Sequence, residues 1–288
     1  MYEIVKNYRD NAKLRKSFNN LAKKTFGLDF EDWYENGFWR EHYVPYSMVQ
    51  GEEIVANVSV NLMDMEWKGE KCHLIQLGTV MTDEAYRNQG LIRRLMQEIE
   101  ADYAEQVDGM YLFANDEVLE FYPRFGYRKA KEYQYSKNVQ QTEKISAVQV
   151  PMNTKEQWAV LEEAIRNSKN HSCFEMRKNG GLYLFYVSKF MQENVYYIEA
   201  LDAYAIAEMD EGELLLHAYF SSQEVTWEKI VEAFGDEVEK VTFGFTPLET
   251  ADCQRRERKE EDTTLFVKGT VFEEFEKEML MFPTLSHA

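Results

Sequence analysis

The stretch Leu74-Ile75-Gln76-Leu77-Gly78-Thr79-Val80-Met81, continued by Thr82-Asp83-Glu84-Ala85-Tyr86-Arg87-Asn88-Gln89-Gly90-Leu91-Ile92 and by Arg93-Arg94-Leu95-Met96-Gln97-Glu98-Ile99, decides how this chain is read. Leu74 to Met81 is rich in apolar and β-branched residues and lacks proline, which predicts a strand. From Leu91 the apolar positions are Leu91, Ile92, Leu95, Met96, Ile99 and Tyr103, one face of a helix.

Between strand and helix stands Arg87-Asn88-Gln89-Gly90-Leu91-Ile92. The first N–H groups of a helix have no intrahelical partner and carry partial positive charge. An anionic pyrophosphate fits there, and Gly90 lets backbone approach it with no Cβ in the way. Arg87 adds a forked cation. Neither G-x-x-x-x-G-K-[ST] nor G-x-G-x-x-G occurs, so this is no nucleotide P-loop of known pattern.

The 288 residues are 44% hydrophobic and 29% charged, a globular composition long enough for two domains. The net charge of -18 argues against nucleic acid and anionic membrane as partners. It suits a cationic substrate and, more simply, a solubilising surface. Cys72, Cys173 and Cys253 are scattered, and the five histidines show no ligand spacing, so neither a disulfide framework nor a metal site is expected. Met1 to Lys6 lacks a signal-peptide core and no apolar run would span a bilayer; a cytoplasmic protein is expected.

Tyr2 to Val5 reads as a strand and Ala12 to Phe26 as a helix stopped by Gly27. Phe30 to Tyr43 holds six aromatics. Tyr46 to Gln50 and Ile54 to Met63 read as a hairpin, the second strand half-buried by its alternation. Met110 to Ala114 is a short strand, Asn115 a helix cap, and Lys131 to Lys137 a closing strand. The order implies an α/β fold with a mixed sheet.

After a polar linker at 139–146, Gln157 to Ile165 reads as a helix, and Leu182 to Val187 and Tyr196 to Ile198 as strands. Ala203 to Met209 and Leu214 to Phe220 form a hairpin, Val225 to Phe234 a helix and Val238 to Phe245 a strand. This repeats the order of the first half. Its junction, Ser221-Ser222-Gln223-Glu224, has neither Arg nor Gly, so this half should not hold a phosphate. Residues 1–140 carry 18 basic and 23 acidic residues, and 141–288 carry 15 and 28. The half with the loop is nearer neutral, as an anionic cofactor requires.

The loop Arg87-Asn88-Gln89-Gly90-Leu91-Ile92 and the run Glu120-Phe121-Tyr122-Pro123-Arg124-Phe125-Gly126-Tyr127 resemble two motifs of the GNAT superfamily of N-acetyltransferases, closest to its enhanced-intracellular-survival-like branch. Ile92 departs from the Gly or Ala usual there. The resemblance implies tandem GNAT-like domains, each a mixed, mostly antiparallel sheet flanked by helices, without an evident sterol-carrier-like domain. Residues 1–140 would form the acetyl-CoA-binding catalytic domain, and 141–288 a second GNAT-like domain lacking the loop.

By that resemblance Arg87, Asn88, Gln89, Gly90, Leu91 and Ile92 bind the cofactor pyrophosphate. Val80 and Met81 pair through their backbone with pantetheine, and the Val80 N–H polarises the acetyl carbonyl. Asn115 and Phe121 are further cofactor contacts. Tyr122 is the expected acid, since a phenol near pKa 10 is protonated where a thiolate near 8.5 departs. Arg124 and Arg128 lie near enough to the motif to reach a phosphate, though solvated surface is the simpler reading. Asp32, Glu35 and His73 are the base candidates that sequence offers, each equally readable as a surface group. The apolar ending Met281 to Ala288 would, by resemblance, carry its carboxylate toward the site.

The implied activity is transfer of an acetyl group from acetyl-CoA to a primary amine of a small cationic molecule or peptide by direct attack. The alternative is a non-catalytic acyl-CoA-binding or interaction protein on a degenerate fold. Acceptor identity and oligomeric state are not legible.

Overall fold

Two sheets, each with helices against it, organise the computed structural model, which describes residues 2–140 and 145–287. In chain order the elements are β1 (Glu3–Lys6), α1 (Ala12–Phe26), α2 (Glu31–Glu35), β2 (Tyr43–Gln50), β3 (Glu53–Trp67), β4 (Glu70–Thr82), α3 (Leu91–Tyr103), β5 (Gly109–Ala114), β6 (Arg128–Lys129) and β7 (Tyr133–Asn138). There follow β8 (Val148–Gln149), α4 (Lys155–Asn167), β9 (Phe174–Arg177), α5 (Gly180–Phe190), β10 (Val195–Ile198), β11 (Ala203–Asp210), β12 (Glu213–Ser221) and α6 (Trp227–Glu232). The chain closes with β13 (Lys240–Phe243), β14 (Gln254–Glu257), β15 (Thr264–Lys268) and α7 (Val271–Lys277). The expected linker lies partly outside the described residues.

The first sheet runs β1-β2-β3-β4-β5-β15-β6, with β9 on β3; the second runs β14-β7-β13-β12-β11-β10-β8. Both are mixed and mostly antiparallel. Each contains one parallel pair across a helix, β4 with β5 around α3 and β12 with β13 around α6. The order expected of two related halves is present.

The halves nevertheless exchange strands across the expected boundary at 140/141. β7 was read as closing the first unit but pairs with β13 and β14 in the second sheet. β15, from the far end of the chain, lies between β5 and β6 in the first. Leu265, Phe266 and Val267 are all buried, as a strand covered on both faces must be. The sequence reading missed it because only three apolar residues in a charged region mark it.

Leu182 to Val187, expected as a strand, is the middle of α5. Its run Leu-Tyr-Leu-Phe-Tyr-Val is buried on nearly every side, and a continuous apolar run carries no period that separates strand from helix. The Trp33 indole N–H donates to the Gly181 carbonyl at 2.8 Å. A Cβ at Gly181 would overlap the Phe38 carbonyl oxygen, so glycine allows α5 to lie this close to the aromatic segment before β2.

β3 is covered on both faces rather than half-buried, with Asn57, Ser59 and Asn61 each at most 1% exposed. One face meets α3 through Leu91, Leu95, Met96 and Ile99. The other meets α1, α2, α5 and the C-terminal segment. That segment threads the seam between the sheets. Phe282 stacks on Tyr111 at 3.8 Å, its N–H donates to the Glu132 carboxylate at 2.8 Å, and Thr284 N–H donates to the Gly244 carbonyl at 2.7 Å. Burying one such ring contributes about 1.5–3 kcal/mol, so Phe282 helps join the sheets.

Candidate active site

β4 and β5 pair in parallel from Leu74 with Gly109 to Gln76 with Tyr111, and no further. Beyond Gln76 they part. On its other edge β4 bulges: Asn57 pairs with Met81 and Ser59 with Gly78, leaving Val58 opposite both Thr79 and Val80. Thr79 has φ 47°, a left-handed conformation that is costly for a β-branched residue.

Polar groups hold that bulge. The hydroxyls of Tyr43 and Thr79 lie 2.7 Å apart, and Asn57 Nδ2 donates to the Thr79 carbonyl at 2.9 Å. Ser47 Oγ donates to Asn57 Oδ1 at 2.8 Å and meets the Tyr8 hydroxyl at 2.6 Å. Three segments, the loop at Tyr8, β2 and β3, therefore fix one strained peptide of β4.

A cavity of about 890 Å³ fills the space where the strands part. Val80, Met81, Arg87, Asn88, Ile92, Asn115, Phe121 and Tyr122 line it, eight of the eleven residues singled out from sequence. Gln89, Gly90 and Leu91 complete the loop at its edge. Gly90 is the α3 N-cap at φ 72°, and Asn88 is also left-handed at φ 62°. The amides of Gln89, Gly90, Leu91 and Ile92 find no acceptor among the described residues. They form a cluster of free donors at a helix mouth. Tyr2 steadies the loop by donating to Gln89 Oε1 at 2.7 Å. Arg87 is exposed and forms no salt bridge among the described residues.

Tyr122 is 4% exposed and lines the cavity, and burial pushes its pKa up to about 12. Its hydroxyl makes no hydrogen bond to the described residues. Asn115 makes no capping bond and follows β5 into a short 3-10 turn, Asp116–Val118, rather than a longer helix.

The other wall joins the aromatic segment Phe30 to Tyr43, which the family resemblance sets over the acceptor pocket, to the expected C-terminal segment and to α5, which sequence reading had as a strand. Trp33, Tyr43, Leu182, Phe185, Tyr186 and Phe190 line it, with His287. The His287 ring stacks on Phe113 at 3.8 Å, and its carbonyl accepts from the Tyr186 hydroxyl. Burial, with Arg258 Nη1 3.5 Å from Nε2, lowers the His287 pKa well below its usual value and keeps the ring neutral. Ala288 lies outside the described residues. The apolar ending of the chain was the one signal that could have placed this segment.

Asp32, Glu35 and His73 do not line the cavity. Asp32 pairs with Lys189 at 3.0 Å, and His73 with Asp64 at 2.7 Å at a different cleft. Arg124 and Arg128 are also outside it, and Arg128 pairs with Glu276 at 2.5 Å.

Residues 11–130 match the sequence model of the acetyltransferase (GNAT) domain family. No curated protein matches the chain. Among solved structures, a probable N-acyltransferase from Enterococcus faecalis V583 superposes with TM-score 0.59 at 14% identity, over 96% of this chain and 74% of that one. A GCN5-related N-acetyltransferase from Kribbella flavida gives 0.57 at 15% identity, over 93% and 72%. Eis1 from Mycobacterium abscessus gives 0.56 at 11% identity, over 92% and 73%. These likenesses extend the fold resemblance across both halves.

Proposed function

We propose that this chain, which carries a GNAT acetyltransferase domain, transfers an acetyl group from acetyl-CoA to a primary amine. The observation that carries the reading is the opening between β4 and β5, with the free amides of Gln89 to Ile92 at one end and the Tyr122 phenol beside it. The cofactor pyrophosphate would lie on those amides, with Arg87 beside it. Pantetheine would follow the backbone of Val80 and Met81 into the cavity, past Asn115 and Phe121.

The thioester carbonyl would meet the Val80 N–H next to the fixed Thr79 bulge. The amine attacks the carbonyl carbon, the carbon–sulfur bond breaks, and Tyr122 donates its phenolic proton to the departing thiolate. The amine must shed a proton. Among the described residues, His287 is the one imidazole on that wall, and its depressed pKa makes it a weak base.

Residues 1–140 would supply the cofactor site. The second half would supply α5 and the C-terminal segment. The Ser221 to Glu224 junction offers no phosphate loop. The test is release of free thiol from acetyl-CoA across a panel of amines. Turnover that depends on the amine supports the proposal. Cofactor binding with no thiol release for any amine supports a non-catalytic binding protein instead.

A further inference from the structure

A second cleft, of about 470 Å³, opens between β3, β9, α4 and the start of α5, and none of its lining residues lines the cavity between β4 and β5. Its charge runs against that of the chain. Arg40, Lys71, Arg166, Arg177 and Lys178 line it against Asp64, Glu66, Glu162 and Glu175, in a protein of net charge -18. Each of those acids is already committed. Asp64 meets Lys178 at 3.2 Å, Glu66 and Glu175 meet Arg177 at 3.5 and 3.3 Å, and Glu162 meets Arg40 at 2.5 Å. Burial also pushes Glu175 up to about 7, so part of its charge is missing at neutral pH.

What stays uncommitted is a set of donors. Among the described residues Lys71 makes no ion pair, and the Gly180 amide at the mouth of α5 finds no acceptor. Asn179 does not cap that helix with its side chain. Tyr183 is 6% exposed and lines the cleft, yet its hydroxyl has no hydrogen-bond partner among the described residues. Burial and the Glu175 charge raise its pKa and Arg177 opposes them, which sets the hydroxyl among the cleft's charges. A buried hydroxyl without a partner is costly, and a ligand that accepts from it removes that cost.

We propose that this cleft binds the phosphate group of a small metabolite, with Lys71 as its counter-charge and the Gly180 amide and Tyr183 hydroxyl as its donors. A tetrahedral dianion accepts from all three kinds of donor at once, at a helix mouth whose dipole favours it. A ligand ammonium would find no free carboxylate here. The cleft shares no residue with the proposed coenzyme loop at Gln89 to Ile92, so the two sites are separate.

The experiment is calorimetric titration with inorganic phosphate, glycerol 3-phosphate and acetate at matched ionic strength, with and without saturating CoA, on wild type, Lys71→Gln and Tyr183→Phe. Lys71 is exposed, and Tyr183→Phe keeps the ring edge-on to Phe220 at 5.1 Å, so both variants fold. A phosphate probe should bind one site per chain whether or not CoA is present, at least about tenfold more tightly than acetate. Each variant should weaken it at least about fivefold and leave CoA affinity unchanged. Tighter binding of glycerol 3-phosphate supports an esterified ligand, and tighter binding of phosphate supports the free ion. Neither phosphate binding below about 10 mM, acetate binding as tightly, or indifference to both variants overturns the proposal. So does phosphate that CoA displaces, which puts the ion at the α3 mouth. Phosphate binding that both variants weaken, in a protein that takes up no CoA, refutes the coenzyme reading and leaves this one standing.

Discussion

The hydroxyl of Tyr43 lies 2.7 Å from that of Thr79, and this bond spans the cavity's two sources of order: the strained bulge of β4 and the aromatic cluster that carries α5. Tyr43 packs edge-on to Trp33 at 5.3 Å and to Trp39 at 5.2 Å, so its position is set by the core and not by the bond. Tyr43→Phe should keep the packing and lose about 1 kcal/mol of stability in urea unfolding. Thr79→Gly should relieve the positive φ at little cost in stability while lowering turnover, because the amide proposed to polarise the carbonyl is no longer held. Unchanged turnover in both variants would show that the bulge is not catalytic geometry.

On the proposed mechanism Tyr122 protonates the leaving thiolate. Tyr122→Phe should lower kcat by about 10²-fold or more with CoA affinity nearly unchanged. Burial raises the phenol to about 12, so it stays protonated through the working range. The wild-type rate should therefore rise as the amine deprotonates and show no loss from this group below about pH 11. A decline in kcat well below that pH that disappears in Tyr122→Phe would contradict the assignment.

Glu132 is buried beneath the C-terminal segment, and burial pushes its carboxyl up to about 7 despite Arg258 and the Phe282 N–H. The folded value exceeds the unfolded one, so the folded state binds the extra proton. Its contribution is fully present below about pH 4.3 and is lost as pH rises through about 7. Glu132→Gln should match wild type below about pH 4 and exceed it by about 3–4 kcal/mol above pH 8, read from urea midpoints. A gap that stays constant with pH would refute the raised carboxyl.

Gly244 lets the C-terminal segment pass against β12. A Cβ there would come within 2.8 Å of His217 Cα and 2.5 Å of Thr284 Oγ1. Gly244→Ala should cost about 1–3 kcal/mol and lower turnover by displacing the segment that carries His287. CoA affinity should persist, since the loop lies on the other sheet edge. Equal loss of CoA affinity and turnover would show that the segment acts through global stability instead.

The proposed cofactor end was the legible part of this cavity. A strand, a glycine at a helix mouth and a phenylalanine–tyrosine run are local signals, and local chemistry writes them into short stretches. The bulge at Thr79 was not legible, because it depends on which β3 residue faces which β4 residue. Asn57 and Ser59 looked like solvent-facing alternates, whereas in the structure they are the buried clamp. The α5 part of the proposed acceptor wall was missed for the same reason at longer range. Leu182 to Val187 carries no period that marks it as a helix, and Trp33 and His287 line one cavity only because the end of the chain returns through the seam. The exchange of β7 and β15 between sheets leaves no mark in either segment.

The central claim is that the mouth of α3 grips a coenzyme diphosphate through its free amides. Gly90 is the place to test it, since a Cβ there meets no protein atom within 4 Å and acts only through its φ of 72° and on an approaching ligand. The measurement is thermal unfolding of wild type and Gly90→Val with and without acetyl-CoA. Wild type should gain about 2.7 kcal/mol at a hundred times its dissociation constant, and Gly90→Val should lose most of that gain at the same concentration. No gain in wild type, or an equal gain in Gly90→Val, would contradict the account.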